Sequence, residues 1–244
     1  MAKYRRLLGV GVAIMLALAA AGCNSSSSPT AEATPAAING SGAQGSNPSA
    51  PFVPASQAGA AKGEADLQHP VVKIETSLGD IVVRLDRQRA PLTVDNFLSY
   101  VENGFYDQTI FHQVLKNYVI LGGGFTPQLV EKQARAAPVR NEAGLRNAMK
   151  NTRGTIAMAR RADVVDSSTC QFFINLADNA QLDHKESKLG QYGPPEEYGY
   201  CAFGEVIQGL DVADRISAVP VQDTGEFERI PVHTVLIKSI RRIQ

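Results

Sequence analysis

Short apolar runs, separated by turn residues, follow one another from residue 71 to residue 243. They are rich in β-branched and aromatic side chains, which is typical of strands. Gly79 and Asp80 suit a tight turn, so the first two runs predict a hairpin. The predicted strands are 71–76, 81–85, 110–115, 118–121, 155–159, 171–176, 201–207 and 232–243.

Two segments instead show apolar residues at helical spacing. In 91–104, Thr93 is predicted to cap a helix and Gly104 to end it; the second segment is 210–219. A long glycine-containing loop precedes the strand at 155. Many short strands with only two helices favour a closed or sandwiched sheet capped by helices.

The N-terminal pattern is that of an exported protein. Lys3, Arg5 and Arg6 precede an apolar run at 7–21, which is too short to span a bilayer as a mature helix. We interpret residues 1–22 as a secretory signal peptide. Small residues before Cys23 resemble a bacterial lipobox and predict that Cys23 is lipidated; cleavage without lipidation is the alternative.

Composition then divides the mature chain into two parts. Residues 23–69 are mainly Ser, Ala, Pro and Gly, which predicts a flexible tether after the lipidated cysteine. Residues 70–244 are long enough for one domain with its own core. Without the signal peptide, 21 basic residues face 24 acidic ones, and no basic cluster predicts a nucleic-acid partner.

Cysteine, histidine and glycine patterns limit the possible chemistry. Cys170 and Cys201 could form a disulfide outside the cytoplasm, or could be two small buried thiols. The histidines are scattered without metal-ligand spacing, so we expect no metal site. The glycines at 122–124 lack the residues of a phosphate loop.

Five segments together resemble bacterial cyclophilin-type peptidyl-prolyl cis-trans isomerases. They read TVDNFLSYVENGFYDQTIFHQV, GGGF, NTRGTIAMAR, QFFINLADNAQLDH and YGYCAFGEVIQGLDVADRIS, in family order. The resemblance implies a mainly β fold, an eight-stranded antiparallel closed β-barrel capped by two helices. It also implies an outer groove that grips proline-containing peptides, without a cofactor.

The resemblance also exposes a departure at the catalytic position. The family arginine that follows Phe-His is Gln113 here. Simple strand alternation puts Phe111 and Gln113 on one face, towards the groove, and His112 and Val114 on the other. We therefore predict that Gln113 is catalytic and that His112 is a hydrogen-bonded interior residue. The groove residues implied by the resemblance are Tyr118, Val119, Leu121, Ala159, Arg160, Gln171, Phe173, Gln181, Leu182 and Tyr200.

These observations predict an isomerase of reduced activity that assists the folding of exported proteins. The alternative is a non-catalytic module or chaperone that binds proline peptides. We expect a monomer, lipid-anchored on the periplasmic side of the cell envelope. Asn24, which is not the aspartate associated with inner-membrane retention, makes the outer membrane plausible. The loop at 185–198 contains two adjacent prolines and is a candidate contact for client proteins.

Overall fold

Eight strands pair into one closed antiparallel barrel in the computed structural model, which describes residues 66–185 and 197–244. The barrel strands are β1 (Val71–Thr76), β2 (Gly79–Leu85), β3 (Thr109–Leu115), β4 (Val119–Gly122), β5 (Thr155–Met158), β6 (Phe172–Asn175), β7 (Ala202–Gln208) and β10 (Val235–Arg242). They pair in the order β1-β10-β3-β4-β6-β5-β7-β2. All eight predicted strands are therefore present, and the predicted barrel is confirmed.

Several predictions fall outside the described residues: the signal peptide, lipidation of Cys23, almost all of the tether and most of the 185–198 loop. Residues 66–69, which were assigned to the tether, are bound to the domain. The His69 ring is 2.8 Å from the Asp66 carboxylate, and the Arg87 backbone N–H donates to the Gln68 carbonyl. Ordered contacts thus begin before the predicted boundary at residue 70.

Two helices contribute to the barrel core, as predicted: α1 (Pro91–Glu102) and α2 (Leu210–Ser217). Phe97 of α1 is fully buried, and its ring lies 5.7 Å from Phe172 and 5.1 Å from Phe203. On α2, Ile216 is buried in the same core. Within the described ranges, no helix has the length and apolar character needed to cross a bilayer.

The start of α1 differs from the prediction that Thr93 is its N-cap. Ala90 precedes the helix, and Pro91 occupies its first turn, where a missing N–H costs nothing. Thr93 lies inside the helix and is buried. The Glu142 carboxylate accepts hydrogen bonds from the Leu92 and Thr93 backbone N–H groups and from the Thr93 hydroxyl. A distant acid thus caps the helix.

Two further strands, β8 (Val221–Thr224) and β9 (Phe227–Pro231), form a separate hairpin that sequence analysis missed. Most of its side chains are exposed, so no apolar alternation marks it. The two predicted alternatives for the cysteines are resolved by the structure: Cys170 and Cys201 are both free and buried.

A β-bulge in β3 makes the predicted alternation wrong. Phe111 pairs with Gly122 and Gln113 with Leu121, so two residues of β3 oppose one of β4. As a result, Phe111 and Val114 both lie in the barrel core. Gln113 lies on the outer face together with Leu121, its partner in β4, as predicted. The bulge, rather than simple alternation, places it there.

His112 sits at this bulge and is buried, although it does not belong to the barrel core cluster. Its ring lies 4.6 Å from the ring of Phe125, which in turn packs against Phe227 of β9. The interior position predicted for this histidine is confirmed: Nδ1 has no hydrogen-bond partner within the described residues, but the ring interacts with the backbone of Ile110. Burial lowers the pKa of His112 from 6.5 to about 3.

Candidate functional site

A second apolar cluster, which we call the outer cluster, lies apart from the barrel core. Its row across three strands follows from the pairing of Leu121 with Phe173 and of Phe173 with Ala157. Gln113 extends that row because it pairs with Leu121. The outer cluster consists of Val119, Leu121, Ala157, Ala159, Phe173, Leu182, Tyr200 and Ala202.

Two walls outside the strands complete the outer cluster. Leu182 comes from the short 3-10 turn Ala180–Leu182, and Tyr200 precedes β7. The Tyr200 backbone N–H donates to the Leu182 carbonyl at 2.9 Å, which joins the two walls. The Tyr200 ring meets Phe173 edge-on at 5.6 Å between centroids. The structure thus brings together residues that are far apart in the chain.

The side chains of the outer cluster are tightly packed. Val119 and Phe173 have no exposed surface, Leu182 is 5% exposed and Tyr200 is 8% exposed. Leu115, Tyr118 and Met149 are partly buried and pack against its edge.

A buried asparagine network, which sequence analysis missed, holds the two walls in place. The Asn151 side chain donates to the carbonyls of Leu182 at 3.1 Å and of Tyr200 at 3.0 Å. Asn175 donates to Asn151 and to Thr155. A buried amide is tolerated only when its hydrogen bonds are made, so this network defines one arrangement of the walls.

The same network reaches Tyr118. Asn179 donates to the Tyr118 carbonyl at 3.1 Å and to the Asn175 side chain at 2.7 Å. A sequence signal for the network did exist: Asn175 occupies an outward position of β6, two residues after Phe173, where an apolar residue would extend the groove. An amide in the middle of an apolar strand indicates a specific polar partner.

The polar side chains of the predicted site differ in their hydrogen bonding. Gln113 is partly exposed, and its carboxamide makes no hydrogen bond within residues 66–185 and 197–244. The Gln171 side chain is buried, and its Oε1 has no hydrogen-bond partner. A Cβ at Gly124 would lie 2.5 Å from Cγ of Gln171, so glycine is required for this close approach. One free donor and one unpaired acceptor thus accompany the outer cluster.

Arg160, in contrast, is largely committed to the backbone. The side chain is buried, and its guanidinium donates to the carbonyls of Gly199, Arg161 and Ala162. It also lies over the Tyr200 ring at 5.0 Å. These contacts fix the wall at Tyr200, so Arg160 acts in the structure as a support of the site.

The remaining predicted residues lie at the edge. Gln181 is exposed, and its amide donates to Asn179 at 3.4 Å. Burial raises the pKa of the Tyr118 phenol, and a hydrogen bond with Gln181 opposes that shift. No group of three His, Cys, Asp or Glu residues suited to a metal ion occurs in the part of the chain that the structure describes.

Comparison with known proteins accounts for this geometry. The family model for cyclophilin type peptidyl-prolyl cis-trans isomerases matches residues 71–242. Peptidyl-prolyl cis-trans isomerase A of Dickeya dadantii is 44% identical over 173 residues, covering 71% of this chain and 84% of that protein. Peptidyl-prolyl cis-trans isomerase B of Escherichia coli is 43% identical over 170 residues, covering 70% and 98%.

A solved structure shows the same fold. The crystal structure of a Cryptosporidium parvum cyclophilin type isomerase in the presence of the dipeptide Ala-Pro has a TM-score of 0.56 and 24% identity. The match covers 71% of this chain and 99% of that one. Barrel, outer cluster and sequence agree, and this chain therefore belongs to the cyclophilin-type peptidyl-prolyl cis-trans isomerases, a family of enzymes.

Proposed function

We propose that this chain isomerises prolyl bonds more slowly than family members that carry arginine at the position of Gln113. The observation that supports this proposal is the neutral, unpaired carboxamide of Gln113, in register with apolar Leu121. Its amide is free to donate a hydrogen bond to a bound peptide. Arg160 does not replace the missing guanidinium, because its own guanidinium binds backbone carbonyls.

The expected loss of rate follows from the strengths of the hydrogen bonds. Rotation about an X–Pro bond crosses a barrier of ~18–20 kcal/mol because it breaks amide resonance. Catalysis requires that the twisted amide be stabilised more than the planar one. A hydrogen bond to a charged group contributes about 1.5–3 kcal/mol and a neutral one about 0.5–1.5. Losing about 1–2 kcal/mol makes the reaction roughly 5- to 30-fold slower.

Proline-containing peptides are the proposed substrates. The outer cluster offers an apolar surface of the kind that a prolyl ring would bury, and the related Cryptosporidium protein was crystallised in the presence of Ala-Pro.

The test is a repair experiment that measures cis-trans exchange of an Ala-Pro peptide by NMR. Gln113→Arg should raise the rate about 5- to 30-fold, because it restores a charged donor. Gln208→Arg is the matched control: it adds the same charge at an exposed position of β7 and should leave the rate unchanged. An unchanged rate in Gln113→Arg would mean that Gln113 does not limit the chemistry.

The competing function is a proline-peptide binding module without turnover, and the neutral side chain of Gln113 beside the outer cluster is what favours it. Peptide binding alone cannot separate the two functions. If high protein concentrations bind the peptide but do not accelerate its exchange, the chain is a binding module. Acceleration above the spontaneous rate would exclude that alternative.

We further propose that the domain acts on exported proteins at the cell envelope, as a lipid-anchored monomer on the periplasmic side. The support comes from the sequence: a basic and apolar N-terminus, small residues before Cys23, and a polar tether. Mass spectrometry of Cys23 peptides should show acylation, and Cys23→Ser should release the protein from the membrane fraction. Retention of Cys23→Ser in the membrane would contradict lipid anchoring.

A further inference from the structure

A cavity of about 380 Å³ adjoins the outer cluster where β3 turns into β4. Leu115 and Tyr118 form one side of the cavity, and both also pack against the outer cluster. Val219 and Val221, which follow α2, form the other side. The cavity is thus a recess lined by both apolar and polar side chains, and it continues from the edge of the outer cluster.

Two cations stand at this recess, Lys116 from the β3–β4 turn and Arg229 from β9. Neither side chain forms an ion pair or hydrogen bond within the described ranges of the chain, whereas most other arginines there are paired, such as Arg153 with Asp214 and Arg241 with Asp107. The carboxyl end of α2 borders the recess with a partial negative charge, and the Asp223 carboxylate accepts the backbone N–H of Arg229. The two full positive charges of Lys116 and Arg229 exceed these together. The recess is therefore suited to an anionic group.

The backbone at Arg229 has an unusual conformation. Arg229 has a φ of 56°, in the left-handed region that glycine adopts most readily. The Asp223 carboxylate accepts its backbone N–H at 2.9 Å and holds the irregular register of the hairpin. Glycine would fit this position with less strain, so the Arg229 side chain can be removed without destabilising the hairpin.

The distance along β3 relates the recess to Gln113, the predicted catalytic residue. Leu115 lies two residues beyond Gln113 in β3, which corresponds to about 7 Å in an extended strand. An extended peptide with its proline near Gln113 would bring a side chain about two residues away over the recess. We propose that the recess is a specificity subsite that receives an acidic side chain of the substrate. The inference rests on the proposed isomerase function and names its preferred substrates.

The experiment uses the full chain and seven-residue alanine peptides with one central proline. Each peptide carries Glu, Gln or Lys two residues before or two residues after the proline. NMR exchange should be about fivefold faster for the Glu peptide than for the Gln peptide in one of the two placements, as expected for two partly solvated cations. The preference should fall at high salt, since the Debye length shrinks from ~10 Å at 0.1 M to ~3 Å at 1 M.

Variants then assign the preference to the recess. Arg229→Gly combined with Lys116→Gln should reduce the Glu-to-Gln ratio below about twofold, because both cations are gone. Arg229→Gly also relieves the backbone strain, so this variant should fold. Lys238→Gln is the matched control: Lys238 is an exposed residue of β10 that does not line the recess, and the ratio should persist.

The possible outcomes separate the acidic subsite from the proposed isomerase function. Equal acceleration of Glu, Gln and Lys peptides would overturn the acidic subsite and leave the isomerase function intact. A Glu preference that survives the double variant would also overturn it. If a Glu peptide without proline binds equally tightly, the recess is not a subsite of the groove. Failure to bind or accelerate any proline peptide would overturn both the subsite and the proposed function.

Discussion

Replacing Asn151 with alanine tests how the walls of the site are held. The Asn151 side chain donates to the carbonyls of Leu182 and Tyr200 and accepts a hydrogen bond from Asn175. Alanine removes all of these bonds. The Leu182 carbonyl keeps the Tyr200 N–H as a partner, whereas no other donor to the Tyr200 carbonyl lies in the described residues.

The expected loss of stability follows from the hydrogen bonds that alanine removes. A buried hydrogen bond contributes about 0.5–1.5 kcal/mol, and an acceptor left without a partner costs about 1–3 kcal/mol. Asn151→Ala should therefore lower the free energy of unfolding by about 3 kcal/mol. For a domain of this size that corresponds to a decrease in Tm of roughly 6–12 °C. Peptide exchange should slow as well, because Leu182 and Tyr200 lose their common support.

Urea unfolding and NMR exchange measure the two effects on the same samples. Asn147→Ala is the matched control, because Asn147 is exposed and its bond to the Gln88 carbonyl is long, at 3.5 Å. That variant should change the free energy of unfolding by less than about 0.5 kcal/mol. If Asn151→Ala lost no more stability than Asn147→Ala, the network would not be what holds the walls.

Three further predictions concern buried polar groups. Glu142→Gln should lower the free energy of unfolding by about 1–2 kcal/mol in urea unfolding, because the amide has one accepting oxygen and its NH2 group cannot accept the remaining bond at the start of α1; an unaltered midpoint would refute the capping role. Burial keeps His112 neutral in the folded protein, with a pKa of about 3 compared with 6.5 in the unfolded chain. At a pH between these two values the unfolded chain therefore binds more protons than the folded protein. Stability should therefore fall by about 2 kcal/mol from pH 7 to pH 5, and His112→Gln should abolish most of that difference; an equal decrease in His112→Gln would assign it elsewhere. Burial raises the pKa of Cys170 to about 11 and of Cys201 to about 12, so neither thiol should react with a disulfide reagent at pH 8 until denaturant is added; rapid reaction of the folded chain would contradict their burial.

The barrel was predictable because its strands alternate with clear turn signals and because five segments carry the family resemblance. The outer row of Gln113, Leu121 and Phe173 was also correctly grouped. The bulge at His112 was not predictable from alternation, since two consecutive residues opposite one partner reverse the pattern only after that point. The hairpin at β8 and β9 escaped because exposed strands without an apolar face have no periodic signal.

Hydrogen bonds between residues that are far apart in the sequence were also not predicted. Thr93 has the composition of an N-cap, but Glu142, far away in the sequence, supplies the acceptor for the helix. Similarly, nothing local to Asn151 reveals that its amide would bind the carbonyls of Leu182 and Tyr200. Such partners depend on the tertiary arrangement, which sequence spacing does not encode.

The pairing of β10 with both β1 and β3 has a consequence for biogenesis. The barrel is closed by a strand near the end of the chain, so residues 71–208 alone leave two open edges. The ring cannot close until β10, the last strand of the described residues, has been synthesised. Until then β1 and β3 keep unpaired edges, which can pair with other chains.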